Sequence, residues 1–151
     1  MKIYVASSWR NLLQQGCVQT LRAAGFEVYD FKNPREGDHG FSWKQVSEKP
    51  AAEWKNQDYL KALQHPVAEA GFNSDFDAMK WADCGVLVLP CNRSAHLEAG
   101  WFVGIGKPLH ILLAEDNEPE LMYKMATSIN TSMFELLGSL GVKDAVAHNN
   151  N

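Results

Sequence analysis

The chain has 151 residues, enough for one domain that buries about two-thirds of its unfolded surface. Hydrophobic residues make up 46% and charged residues 21%, the balance of an ordinary globular protein and not of a disordered or fibrous one. A net charge of -4 argues against a non-specific polyanion binder, so no nucleic-acid partner is expected, although one local Arg can still hold one phosphate of a small ligand. No apolar run approaches bilayer length, and Met1-Lys2 leads straight into an apolar strand with no signal-peptide architecture. The expectation is a cytoplasmic protein with no membrane partner. Cys17, Cys84 and Cys91 are an odd set without framework spacing, read as reduced, buried or half-buried thiols. Cys84, Cys91 and His96 lack zinc spacing and the other histidines are scattered, so neither metal nor cofactor is implied.

In chain order, Ile3 to Ala6 is a short apolar strand, and Ser7-Ser8 offer hydroxyl caps to a following helix striped by Leu12, Leu13, Val18 and Leu21. Gly25 closes that helix, and Phe26 to Phe31 alternates as a second strand. Residues 33–65 then break the rhythm with Pro, Gly and the aromatics Phe41, Trp43, Trp54 and Tyr59; this insertion is too long for a plain connection, and its best helix candidate is Glu53–Leu63. Pro66 to Ala82 reads as a helix with Phe72, Phe76, Met79 and Trp81 inward. The unbroken apolar run Gly85–Leu89, ended by Pro90, marks a central parallel strand buried on both faces. Ala95 to Ile105 is a helix stopped by Gly106-Lys107-Pro108, and Leu109 to Leu113 is another buried strand. Short helices near Glu118–Ala126 and Ser132–Leu140 follow, and the last residues read as a flexible tail from 144 to 151. The order predicts one α/β domain over 1–143, a doubly wound Rossmann-like or flavodoxin-like parallel sheet with helices on both faces.

Chemistry concentrates after two strands. Ser7, Ser8, Trp9 and Arg10 gather hydroxyls, backbone N–H groups and a guanidinium where open α/β sheets bind ligands. In Asn92-Arg93-Ser94-Ala95-His96-Leu97-Glu98, Ser94 reads as the helix cap and Glu98 as an acid about one turn in, among Leu97, Ala99, Trp101 and Phe102. An acid among so many apolar neighbours is costly unless it has a task. Asp75 lies near the packed side of its helix, whereas Asp77 points to solvent and Asp83 is a turn residue. Two carboxylates from adjoining elements are the raw material for glycosidic-bond chemistry. Gly100, Gly104 and Gly106 fall in and after a helix instead of at a strand-to-helix turn, which reads as close helix packing and not a phosphate loop. Trp9, Phe41 and Trp43 are equally suited to stacking on a base or to filling core.

Three blocks together resemble the nucleoside 2-deoxyribosyltransferase superfamily, which includes the 2'-deoxynucleoside 5'-monophosphate N-hydrolases. They are Ile3–Arg10, Asp75–Asp83 and Ser94–Gly100, in the family's order over roughly residues 3–113. The resemblance implies a nucleophile at Glu98 that forms a glycosyl-enzyme intermediate, an acid for the departing base at Asp75, and a tyrosine at Tyr4 that orients the nucleophile. Ser7, Ser8 and Arg10 resemble the phosphate-binding start of the nucleotide hydrolases, whereas Trp9 resembles an aromatic of the transferases. The loop before Glu98 lacks the acid that many transferases use against the sugar, leaving Asn92, Ser94 or His96 in its place. The partner implied is a small-molecule nucleoside or nucleotide. Family members are homo-oligomers, and Trp101 and Phe102 are the interface candidates here. Cleavage of a larger nucleotide such as NAD at its ribosyl bond, and a non-catalytic nucleotide-binding sensor, stay open as alternatives.

Overall fold

A computed structural model describes residues 1–116 and 118–143. The chain forms two compact units, one of Met1–Asp30 with the chain from Trp81 onward, the other of Phe31–Lys80.

In the first unit, five parallel strands, β1 (Lys2–Ala6), β2 (Glu27–Asp30), β3 (Cys84–Leu89), β4 (Leu109–Leu113) and β5 (Ser128–Asn130), lie in the order β2-β1-β3-β4-β5. This is the flavodoxin-like doubly wound arrangement. The apolar run of β3 is buried at every position, as a central strand covered on both faces requires. Alternation sorts its neighbours. Ile3, Val5, Val86, Val88 and Leu112 pack with Cys17, Val18 and Leu21 of α1 (Leu13–Ala23) and Leu136 of α5 (Met133–Ser139). On the opposite face, Tyr4 and Gly85 meet Phe102 of α4 (Arg93–Gly104). A Cβ on Gly85 would fall 2.8 Å from the Phe102 ring, so the missing side chain is what lets this ring reach the sheet. Burying that ring is worth about 1.5–3 kcal/mol. The helices do cover both faces.

Local details depart from the sequence expectation. Helix α1 starts at Leu13, well after Ser7-Ser8, and neither serine caps it; Asn11 Oδ1 instead accepts from the Leu13 backbone N–H at 2.8 Å. The α1 stripe is Gln14, Cys17, Val18 and Leu21, while Leu12 is 93% exposed because it precedes the first helical turn. The helix ends in a Schellman turn: Gly25 has φ +89°, Gly25 N–H donates to Arg22 O, and Phe26 N–H donates to Leu21 O. Gly106 likewise stops α4 with φ +76°, but Gly100 and Gly104 face open space, so the close packing expected of them falls instead to Gly85 and Gly71. The stretch around Leu121–Met125 is a 3-10 turn, and the strand β5 behind it was not foreseen: three residues are too few to show a period. Asp83 lies in the bend between α3 and β3, and its carboxylate accepts the Lys2 backbone N–H at 2.7 Å. The expected tail at 144–151 lies outside the described residues.

The second unit holds α2 (Asn56–Leu63) and most of α3 (Pro66–Trp81). Its irregular part is organised by aromatics: Trp43 takes Phe41, Trp54 and Tyr59 edge-on at 4.8, 5.3 and 6.0 Å between centroids. Phe41 lies so close over Gly71 of α3 that a Cβ there would approach within 2.9 Å. Lys49 pairs with Asp58 at 2.9 Å, and Asp58 also caps α2 by accepting the Lys55 N–H. Along α3, Ala68, Ala78 and Met79 are buried, but Phe72 is 62% exposed and Trp81 is exposed as well, against the inward positions expected. Phe72 stacks on Phe76 at 5.3 Å, and the Lys2 ammonium lies 5.3 Å over the Trp81 ring.

Candidate active site

The order β2-β1-β3 puts a topological switch point between β1 and β3, where successive connections leave in opposite directions and open a crevice beyond the carboxyl ends of the strands. Two loops border it, Ser7–Leu12 after β1 and Pro90–Asn92 after β3, and they are laced together. Ser7 Oγ donates to the Val88 carbonyl at 2.8 Å and accepts from Asn11 Nδ2 at 3.0 Å. Ser8 Oγ accepts from the Arg10 N–H at 3.2 Å and from Asn92 Nδ2 at 3.3 Å. The structure thus brings Ser7, Ser8 and Asn92 together, with Ser8 buried and Trp9 and Arg10 exposed on the same loop.

Helix α4 begins at Arg93. Asn92 holds the N-cap position, its side chain engaging Ser8 instead of the helix. Ser94 is therefore an exposed residue of the first turn and not the cap. Glu98 falls beyond the first turn, out of range of the strongest dipole stabilisation. It is half-buried, three residues after Ala95 and four before Phe102, both buried, so it shares the sheet-facing stripe of α4. Its charge is felt in the loop: burial first, and Glu98 second, push the Cys91 thiol up to about 12. Cys17 and Cys84 are buried and Cys91 half-buried, as the sequence suggested.

Tyr4, the middle residue of β1, is 0% exposed. It stacks on Tyr29 at 5.5 Å and tilts against Phe102 at 5.9 Å, which places it under the stripe of α4 that carries Glu98. Phe102 is equally buried, so it belongs to the core and offers no surface to a second subunit. Trp101 is half-buried, edge-on to Phe102 at 5.3 Å and 5.8 Å from the Lys107 ammonium.

His96 braces the site from the outside. Its Nδ1 lies 3.0 Å from the Asn92 carbonyl and 3.5 Å from Cys91 Sγ, and its Nε2 lies 2.8 Å from the Tyr123 hydroxyl. Tyr123 also borders a cavity of about 610 Å³ beyond β4 and β5, whose wall includes Glu115, Asp116, Glu118 and Glu120. Four acids around one cavity disfavour a phosphate there. Among the described residues, no group of His, Cys, Asp or Glu is arranged to hold a metal ion, and no helix is long and apolar enough to cross a membrane.

In the second unit, Asp75 is half-buried on α3, while Asp77 is exposed and pairs with Lys80 at 2.6 Å, as expected from its face. Phe41 and Trp43 are half-buried in the aromatic cluster of that unit. Two residues of the site were not singled out in the sequence. Asn11 had a visible signal, a capping-type residue just before a helical stripe. Tyr123 had none, since only the fold brings it to His96.

No family model matches the chain, and no curated protein matches it. Among solved structures it is similar to a 2-deoxyribosyltransferase from the psychrotolerant bacterium Bacillus psychrosaccharolyticus, with 20% identity, a TM-score of 0.55 and 90% of each chain covered. It is also similar to the CMP N-glycosidase BcmB of Clostridium botulinum, with 17% identity and a TM-score of 0.47 over 93% of this chain and 98% of that one. The first likeness shows that the chain shares the α/β fold of that transferase.

Proposed function

We propose that this chain is an enzyme that cleaves or exchanges the N-glycosidic bond of a (deoxy)nucleoside or (deoxy)nucleotide through a covalent glycosyl-Glu98 intermediate. The observation that carries the reading is Glu98 itself: a half-buried carboxylate on the sheet-facing stripe of α4, just past the carboxyl end of β3, in a fold shared with a 2-deoxyribosyltransferase. Ligands of open α/β sheets bind at that place.

The chemistry follows from the residue types. A Glu98 oxygen attacks C1' as the bond to the base breaks through an oxocarbenium-like transition state, and the base leaves with the bonding electrons. Asp75, matched to the family's motif, supplies the proton that the leaving nitrogen needs. Tyr4, packed beneath the Glu98 stripe, orients the carboxylate. Arg10 and the hydroxyl-bearing loop of Ser7 and Ser8 face the anionic or polar end of the substrate, and Trp9, with half its surface exposed, offers a stacking face. Asn92, Ser94 or His96 stands in for the acid that the family sets against the sugar, and Phe41 and Trp43 are the further candidates for stacking on the base.

The test is chromatography of free base released from deoxynucleosides, their 5'-monophosphates and the ribo counterparts, with and without a second base. Release that requires the second base identifies a transferase, and release without it a hydrolase. Turnover of NAD or of ribonucleotides alone would move the substrate to a ribosyl bond. Binding of these ligands without any release would leave a sensor and reject the enzyme reading.

A further inference from the structure

We infer that Asn11 is a positioning residue that fixes the substrate-side loop after β1 against the loop leading to the Glu98 helix. The inference deepens the proposed function and rests on it for its kinetic consequence. Asn11 is 4% exposed, and its one amide reaches three parts of the fold. Nδ2 donates to Ser7 Oγ at 3.0 Å, to the Val88 carbonyl at 3.3 Å and to the Pro90 carbonyl at 3.1 Å. Oδ1 accepts the Leu13 N–H that opens α1 at 2.8 Å, while the Asn11 backbone N–H donates to the Ser8 carbonyl at 3.0 Å. Only a primary amide of this length supplies two N–H groups and a carbonyl together. The nearby Asn92 Nδ2 to Ser8 Oγ contact, 3.3 Å, is a second tie across the same gap.

The two loops are far apart in sequence, so nothing local sets the distance between them. One carries Trp9 and Arg10, and the other continues into α4 and Glu98. The β1–β3 ladder ends at Ala6 and Leu87 and Ser7 Oγ holds Val88; beyond them Asn11 helps set how far the group that grips the substrate stands from the group that attacks C1'. Reaction rates are steep in that distance, a 1 Å error costing about 100-fold.

The experiment compares wild type, Asn11→Ala, Asn11→Asp and Asn92→Ala in two readouts: base-release kinetics, and backbone hydrogen exchange by mass spectrometry. Asn11→Asp keeps the size and the Leu13 contact but turns a donor into an acceptor facing two carbonyls. Expected for both Asn11 variants is a fall in kcat/KM of about 100-fold with a raised KM. Faster exchange should appear together in residues 7–12 and 90–96, with α5 unchanged. A merely structural role would lower the active fraction at constant KM. Asn92→Ala, at an exposed residue, preserves the fold, and because Asn92 also begins α4 only its exchange in residues 7–12 is decisive: faster exchange there supports the tie between the loops if the Asn11 variants do not fold, and unchanged exchange there overturns it. Faster exchange confined to residues 7–12, or an unchanged KM, would overturn the inference. If wild type releases no base, the proposed function fails, while the exchange pattern still decides whether Asn11 joins the loops.

Discussion

Gly85→Ala is the sharpest probe of how the sheet holds the Glu98 helix. The new Cβ would stand 2.8 Å from Phe102 Cδ2 and 3.0 Å from its Cγ, where ordinary contact begins at 3.4 Å. A gap of roughly half an ångström or more must be made up in a packed interior. The ring has little room to yield, being fully buried between Tyr4 and Trp101. Helix α4 must therefore shift, or β3 must. Overpacking of this kind costs about 1–3 kcal/mol. Replacing Gly by Ala also returns about 0.4–1 kcal/mol by restricting the unfolded chain, which leaves a net cost of about 1.3 kcal/mol at the middle of both ranges. At about 2–4 °C per kcal/mol, the melting temperature should fall by several degrees. Because Phe102 is one turn beyond Glu98, base release should fall as well. The assay is thermal unfolding beside kcat/KM, with Phe102→Leu added in the Gly85→Ala background. The smaller side chain should recover part of both losses, with a coupling of about 0.5–3 kcal/mol. A melting temperature equal to wild type, or no recovery in the double variant, would refute the wedge.

Three further outcomes are expected. At pH 8 the Cys91 thiol, pushed up to about 12, should alkylate with iodoacetamide far more slowly than a free cysteine, and Glu98→Gln should speed it by removing the second of its two causes; an unchanged rate would mean Glu98 carries no charge there. Burial holds His110 below its ordinary 6.5, so the unfolded chain takes up a proton that the folded one resists; its stability contribution is present above that value and lost as pH falls below it. The fall in melting temperature from pH 7.5 to 5.5 should accordingly be shallower in His110→Asn, and equal slopes would count against the burial effect. Asp75→Asn should slow release of poorly leaving bases far more than release of a p-nitrophenolate-like leaving group that needs no proton, and equal slowing would deny it the role of acid.

The fold was legible wherever burial imposed a pattern. The apolar run of β3, the stripe residues Val18 and Leu21 and the glycine stops at Gly25 and Gly106 each carry their own periodic or conformational signature, whereas Leu12 and Leu13, read into the same stripe, are exposed. What escaped was set by tertiary contact. Strand β5 is three residues long, and Phe72, apolar yet exposed, obeys no period. In the site, Glu98 could be singled out because a carboxylate among apolar residues is anomalous in the sequence itself. The roles of the hydroxyls could not, because Ser7 and Ser8 look like caps until Val88, Asn11 and Asn92 are seen across the gap. Capping failed as a guide to Ser94 for the same reason: the chain enters α4 two residues earlier, at Asn92, which a neighbouring loop already holds.

The most direct measurement is the rate of base release by wild type and by Glu98→Gln, matched for melting temperature, on whichever panel substrate turns over fastest. The exchange keeps the size and hydrogen-bonding reach of the side chain and removes only its nucleophilic charge. Expected is a loss of at least about 1,000-fold with substrate binding retained. Release that persists in Glu98→Gln within about tenfold of wild type would contradict a covalent route through Glu98.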